Sequence, residues 1–185
     1  MDEVLYWRCV MTISEQGCSP IVTTEVKPQW VDYNGHMNDA PYVEVFTLAV
    51  NTMIAEEMGL NEQVREKLSY SVYTLENHIC YLQEALEGMT LSVYHQVLNR
   101  DEKRMHMFFE MEDQFGNLLA TSEQMLMGMD MDSGRPAPFP GHEQQSEKPS
   151  NTVNVAKNVE MLYKRDKNKP IPKQAGRTIG ITKKK

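Results

Sequence analysis

A run of side chains able to do chemistry stands at close, ordered spacing between Trp30 and Tyr42, reading WVDYNGHMNDAPY. Asp32 is the reactive candidate, because a carboxylate can attack a carbonyl carbon or take a proton from water. Asn38 and Asp39 follow a tight turn at Gly35 and stand where a helix begins. The free N–H groups of a first helical turn carry about half a positive charge and can polarise a carbonyl oxygen. A thioester suits so sparse a site, since its leaving thiolate resembles a free thiol of pKa about 8.5 and needs no strong acid. Asp before Asn-Gly is also ordinary turn composition. The ordered run out to Tyr42, with a buried helix behind it, favours catalysis. No G-x-S-x-G elbow, phosphate-binding glycine loop or H-E-x-x-H motif occurs.

The elements that must position this run are legible from periodicity. Residues 21–31 are rich in β-branched and aromatic types and predict a first strand. From Ala40 to Met58 the apolar positions cover most of a helical circumference, which predicts one buried helix of about 28 Å. Asn38 or Asp39 suits its cap, Pro41 its first turn and Gly59 its end. Four segments of period 2 follow: Tyr70–Glu84, Thr90–Asn99, Arg104–Glu112 and Leu118–Met131. In the first of these, Tyr73, Leu75, Ile79 and Tyr81 read as one apolar face. The order predicts an α+β domain, an antiparallel five-stranded sheet wrapped around one long central helix. Val153–Tyr163 suggests a further short helix, and Lys183–Lys185 a frayed end.

Composition sets outer bounds. The net charge of -7 divides unevenly, with 11 Lys and Arg against 3 Asp and Glu in residues 146–185, and 8 against 23 in the rest. The body is acidic and the end basic, a pattern expected of a solvated tail. Three cysteines without CxxC spacing suggest reduced thiols rather than a disulfide framework or zinc site. Asp2 and Glu3 stand where a signal peptide would carry positive charge, and no apolar run reaches membrane-spanning length. A cytoplasmic protein with no membrane partner is expected. The fourteen methionines read as adaptable core filling.

Residues Trp30–Tyr42 resemble the signature of the hotdog-fold thioesterases related to 4-hydroxybenzoyl-CoA thioesterase: an Asp three residues before a Gly, then His, an apolar residue, Asn, and a Tyr four further on. Asp39 departs from a frequent second Asn. The resemblance implies a hotdog domain over residues 21–140, between an extension at 1–20 and a polar, basic one at 141–185. It places the nucleophile or general base on Asp32 and the carbonyl-binding backbone near Asn38 to Tyr42. His78-x-x-Tyr81, Glu84 before Gly88, and Arg135-Pro136 are similar to betainyl-CoA thioesterases of carnitine breakdown. A betainyl group carries a fixed cation, which favours aromatic faces and carboxylates. Trp30, Tyr33, His36, Met37, Tyr42, Tyr73, His78 and Tyr81 are therefore the expected substrate-binding residues.

The phosphates of an acyl-CoA need cations, and Arg100, Lys103, Arg104 and Arg135 are the candidates, helped by tail lysines such as Lys157. Neither a metal nor a cofactor is expected, coenzyme A being part of the substrate. An edge strand in a unit of one sheet and one helix calls for a partner, so a homodimer or dimer of dimers is expected. Two other functions remain open: a hydratase or dehydratase on acyl thioesters, and a non-catalytic module whose basic tail recruits a partner. Nucleic acid is not the expected ligand.

Overall fold

A computed structural model describes residues 12–141 and 153–178; Arg8 and the lysines at 183–185 lie outside them. Strand β1 (Val22–Glu25) is short because Pro28, lacking an N–H, starts a 3₁₀ turn that ends at Trp30. The expected strand over 21–31 therefore stops before the Asp32 loop. Helix α1 (Asp39–Thr52) continues through a wider turn at Met53–Glu57, where Met58 N–H bonds the Met53 carbonyl at 3.0 Å. Gly59, at φ +77°, ends it.

A second short helix, α2 (Glu62–Leu68), forms where the residue pattern predicts none; Asn61 caps it by accepting from Val64 N–H at 3.0 Å. Strands β2 (Tyr70–Tyr81), β3 (Thr90–Arg100), β4 (Arg104–Glu112) and β5 (Leu118–Asp130) follow, then the two-residue β6 (Arg135–Pro136). The antiparallel sheet runs β1-β3-β4-β5-β2, with β6 against β5. One face, bearing Leu91, Val93, Val97, Met105, Met107, Phe109 and Met111, buries α1.

The helix is not enclosed all round. Tyr42, Val45, Phe46, Ala49, Val50, Met53 and Ile54 are buried, whereas Val43 and Leu48 remain 40% and 48% exposed. Its open side lies toward solvent, and β1 and β2 are the two sheet edges, whose outer sides no described strand pairs. A bulge at Leu75 interrupts β2, because Thr74 pairs with Leu126 and Glu76 with Met125. Period 2 fails there, so Tyr73 turns to the face opposite Ile79 and Tyr81. The single apolar face expected for Tyr73 and Tyr81 does not form.

The C-terminal segment is not a solvated tail. Helix α3 (Val155–Asp166) buries Val155, Ala156, Val159 and Leu162 in the main core, each full burial of a Val or Leu being worth about 1.5–3 kcal/mol. Buried Asp166 accepts Val97 N–H at 3.0 Å and pairs with Lys169 at 2.7 Å. Beyond it the chain crosses the outer sheet face, where Gln96 donates to the Pro170 carbonyl and Gly176 N–H donates to Glu123 at 2.6 Å. No described helix is long and apolar enough to cross a membrane.

On that outer face Glu110, 2% exposed, accepts Ile13 N–H at 2.6 Å, and burial beside Glu112 and Glu15 pushes its carboxyl up to about 7. A folded-state pKa raised above the ordinary value of 4.5 favours folding at low pH and is lost as pH rises through 7. Thermal melts should show stability falling by up to about 3 kcal/mol between pH 4.5 and 8 from this group. Glu110→Gln should flatten that slope; an unchanged slope would refute the assignment.

Candidate active site

The loop from Val31 to Met37 is closed by a bridge between those two residues and by Asp32 itself. Asp32 Oδ1 accepts the backbone N–H groups of Asn34 at 2.8 Å and His36 at 3.1 Å. Gly35 takes φ +78°, which an L side chain rarely adopts, and its N–H bonds the Asp32 carbonyl at 3.0 Å. These bonds, the His36 N–H foremost, hold the Asp32 carboxyl below its ordinary value. Oδ1 builds the loop, while Oδ2 meets only the Asn34 amide at 3.5 Å and keeps its lone pairs available.

The loop and the helix start form one unit. Asn38 N–H and Nδ2 both bond the Trp30 carbonyl, at 2.9 and 3.2 Å, so Asn38 occupies the cap position while its side chain turns back to the loop instead of capping. Asp39 Oδ1 accepts Ala40 N–H at 2.9 Å, and Pro41 has none to offer. Among the described residues the Asp39 N–H is left without a partner in the first turn.

The segment after β2 completes the site. His36 bridges Leu86, Met37 N–H bonds the Ala85 carbonyl at 2.8 Å, and Ala85 N–H bonds the Tyr42 hydroxyl at 3.0 Å. This zipper brings Glu84 within 3.5 Å of His36 Nε2. A cleft of about 330 Å³ opens between the two segments, lined by His36, Met37, Asp39, Tyr42, Tyr81 and Glu84, among others. The Tyr42 and Tyr81 rings meet edge to face at 5.2 Å. Burial raises both phenol pKa values, and the Asp39 charge raises that of Tyr81 further.

Of the expected residues, His36, Met37, Tyr42 and Tyr81 therefore line one cleft, while Asp32 and Asn38 lie in the adjoining loop and not in its lining. Trp30 is 7% exposed, packed in the core under Lys27 at 4.5 Å, and acts through its carbonyl. Tyr33 is 96% exposed at the loop tip. Tyr73 lies on the other sheet face. His78 lines a separate outer groove of about 570 Å³ with His106, Glu123 and Arg177. Arg100 is tied to Glu160 and Arg104 to Asp101, and with Lys103 and Arg135 they sit at the far end of the sheet. Ten strand steps of about 3.3 Å put that end about 33 Å from the cleft. Within one chain these cations do not reach it.

Asp39 and Glu84 were not among the expected site residues. Glu84 closes the strand-like segment Tyr70–Glu84 in sequence, whereas its partner is His36 across a loop contact. The break after Tyr81, where Leu82 and Gln83 N–H groups both bond the Leu119 carbonyl, was the signal that Glu84 leaves the strand. Among the described residues no three His, Cys, Asp or Glu side chains are grouped to hold a metal ion.

Residues 26–173 match the family model described as Thioesterase-like superfamily. The chain is 38% identical over 159 residues to a betainyl-CoA thioesterase of Pseudomonas aeruginosa, covering 85% of this chain and 92% of that protein. It is 34% identical over 139 residues to an L-carnitine dehydrogenase/betainyl-CoA thioesterase of Rhizobium meliloti, covering 75% of this chain and 28% of that longer protein. A hypothetical protein of Staphylococcus aureus solved in complex with CoA superposes with a TM-score of 0.76 at 30% identity, over 87% of this chain and 94% of that one. A DHNA-CoA thioesterase from the same species, at 16% identity and a TM-score of 0.62 over 78% and 92% of the two chains, shares the fold. A curled antiparallel sheet around one helix, a carboxylate loop at the helix start and these relatives converge: the chain belongs to the thioesterase-like superfamily, as a hotdog-fold acyl-CoA thioester hydrolase.

Proposed function

We propose that the acyl group is betainyl and that the cleft beside Asp32 holds its trimethylammonium. The observation that carries this is the Tyr42–Tyr81 ring pair at 5.2 Å, flanked in the same cleft by Asp39 and Glu84. Aromatic faces and carboxylates attract a cation that cannot donate hydrogen bonds, each favourable ring contributing about 0.5–2 kcal/mol. The betainyl-CoA activity named for the Pseudomonas aeruginosa relative agrees with that reading.

In the proposed reaction the thioester carbonyl oxygen accepts from the Asp39 N–H at the positive end of α1. Asp32 Oδ2 attacks the carbonyl carbon, the CoA thiolate leaves, and a mixed anhydride remains. Water then attacks the anhydride. His36, oriented by Glu84 at Nε2, has its other ring nitrogen free to take the water proton. In the one-step alternative Asp32 deprotonates that water directly. Label in Asp32 after single turnover in H₂¹⁸O marks an anhydride opened by water at the Asp32 carboxyl carbon, whereas the direct route places all the label in the product acid. No metal or separate cofactor enters either route.

A homodimer through the β2 edge fits the free strand and the exposed Val43 and Leu48 of α1. Free thiols at Cys18 and Cys80 fit a cytoplasmic location. The test of substrate is thiol release from betainyl-, benzoyl- and octanoyl-CoA. The highest kcat/KM is expected for betainyl-CoA; a higher value for either other thioester would overturn the reading.

A further inference from the structure

The cleft holds a carboxylate that its surroundings leave without a counterion. Asp39 lines it, and no Lys, Arg or His among the described residues lies within 4 Å of that side chain, whereas Glu84 is already 3.5 Å from His36. Asp39 Oδ1 accepts the Ala40 N–H at 2.9 Å, and Oδ2 makes no hydrogen bond among the described residues. The residue is exposed and lines the same cleft as Tyr42 and Tyr81. Burial, and after it the Asp39 charge, raise the Tyr81 phenol pKa. Ring and carboxylate therefore act on the same space.

An acidic residue in a first helical turn is ordinary, since it complements the helix dipole. At this position it also opposes the reaction. The Asp39 N–H is the donor proposed for the thioester oxygen, so the carboxylate belongs to the residue whose nitrogen must hold a developing negative charge. Like charges repel, and a carboxylate there slows the reaction of an uncharged acyl group. The repulsion is offset when the acyl group carries its own positive charge beside the carbonyl. In a betainyl thioester one methylene separates the nitrogen from the carbonyl carbon, which fixes the cation about 2.5 Å from that carbon. With the carbonyl oxygen about 2.9 Å from the Asp39 nitrogen, the cation comes to about 4–6 Å from the carboxylate, where two charges near a protein surface still attract strongly. Glu84, tied to His36, has no such fixed relation to the carbonyl.

We propose that the Asp39 carboxylate makes the hydrolase selective for acyl groups that carry a fixed cation on the carbon next to the thioester carbonyl. The inference rests on the betainyl reading and deepens it. The Tyr42 and Tyr81 rings suit the methyl groups of any quaternary cation, while Asp39 sets where along the acyl chain the charge must lie. One residue holds the carbonyl by its backbone and reads the acyl group by its side chain.

The test is Asp39→Asn in the full chain, because asparagine keeps the backbone N–H and an oxygen for the Ala40 N–H while removing the charge. The substrates are betainyl-CoA and its uncharged isostere 3,3-dimethylbutyryl-CoA. In the variant, kcat/KM for betainyl-CoA should fall about fivefold and that for the uncharged thioester should rise about twofold, so the preference for the cation drops about tenfold. Opposite signs for two substrates of one shape do not come from a loosened loop, which lowers both. With 4-(trimethylammonio)butyryl-CoA, whose cation lies three methylenes from the carbonyl, kcat/KM should change by less than about twofold. Should Asp39→Asn melt early, Asp39→Ser carries the same comparison with the same expected signs. Equal losses for the isosteric pair, or a fivefold loss for the longer cation as well, overturn the proposal. Equal wild-type values for the pair overturn the betainyl reading and this inference with it. A wild-type preference for the cation that survives in Asp39→Asn overturns this inference alone.

Discussion

Asp32→Asn should fold with a melting temperature within a few degrees of wild type and lose roughly 10³- to 10⁴-fold in kcat on its best acyl-CoA. Asparagine is chosen because the Asp32 side chain does two things. Oδ1 accepts from Asn34 and His36 N–H groups and closes the loop, a task the amide oxygen of Asn repeats. Oδ2 supplies the lone pair for attack, which an amide nitrogen lacks. Asp32→Ala would remove both and confuse a lost loop with lost chemistry. Stopped kinetics with an intact melt is the expected pair of readings; turnover within tenfold of wild type would remove Asp32 from the reaction. The lowered carboxyl pKa has a matching consequence, because the group stays ionised down to pH values below the ordinary carboxylate range. An acid limb of kcat/KM due to Asp32 should therefore lie below the ordinary carboxylate range.

The second large effect concerns charge in the acyl group. Betainyl-CoA and 3,3-dimethylbutyryl-CoA have the same shape, with a quaternary nitrogen in one and carbon in the other. Two ring faces and two carboxylates should favour the cation by about 2 kcal/mol, or roughly 30-fold in kcat/KM. Tyr81→Leu should reduce that ratio severalfold by lowering only the betainyl value, since the leucine retains apolar contact with either substrate. Tyr81 is the better probe of the pair because its ring is 51% exposed, while the Tyr42 hydroxyl also anchors Ala85 N–H at 3.0 Å. Equal kcat/KM for the two thioesters would show that the cleft does not recognise charge.

Much of this molecule was legible before its coordinates. The turn chemistry of Asp32 to Gly35, the change from period 2 to a helical pattern at Ala40, and the alternation in β4 are local facts. Each is written in residues a few positions apart, and local sterics and burial act at that range. A short helix was expected over Val153–Tyr163 and α3 forms there, but the high charge around Val155, Ala156, Val159 and Leu162 hid that these four pack in the core. Helix α2 escaped notice because seven residues with few apolar side chains show almost no period.

What the chain order by itself determined is the reactive loop, the helix that begins behind it and the α+β class that holds them. Tertiary structure alone decided which side chains share the site. The bulge at Leu75 reverses the faces of β2 and separates Tyr73 from Tyr81, a change visible only in pairing with β5. The bridge from His36 to Leu86 puts Glu84 beside His36 across 48 residues of sequence. The length of β3 then carries Arg100 and Arg104 away from the cleft that was expected to use them. Strand register is a long-range choice among many possible pairings, so no short window of sequence contains it.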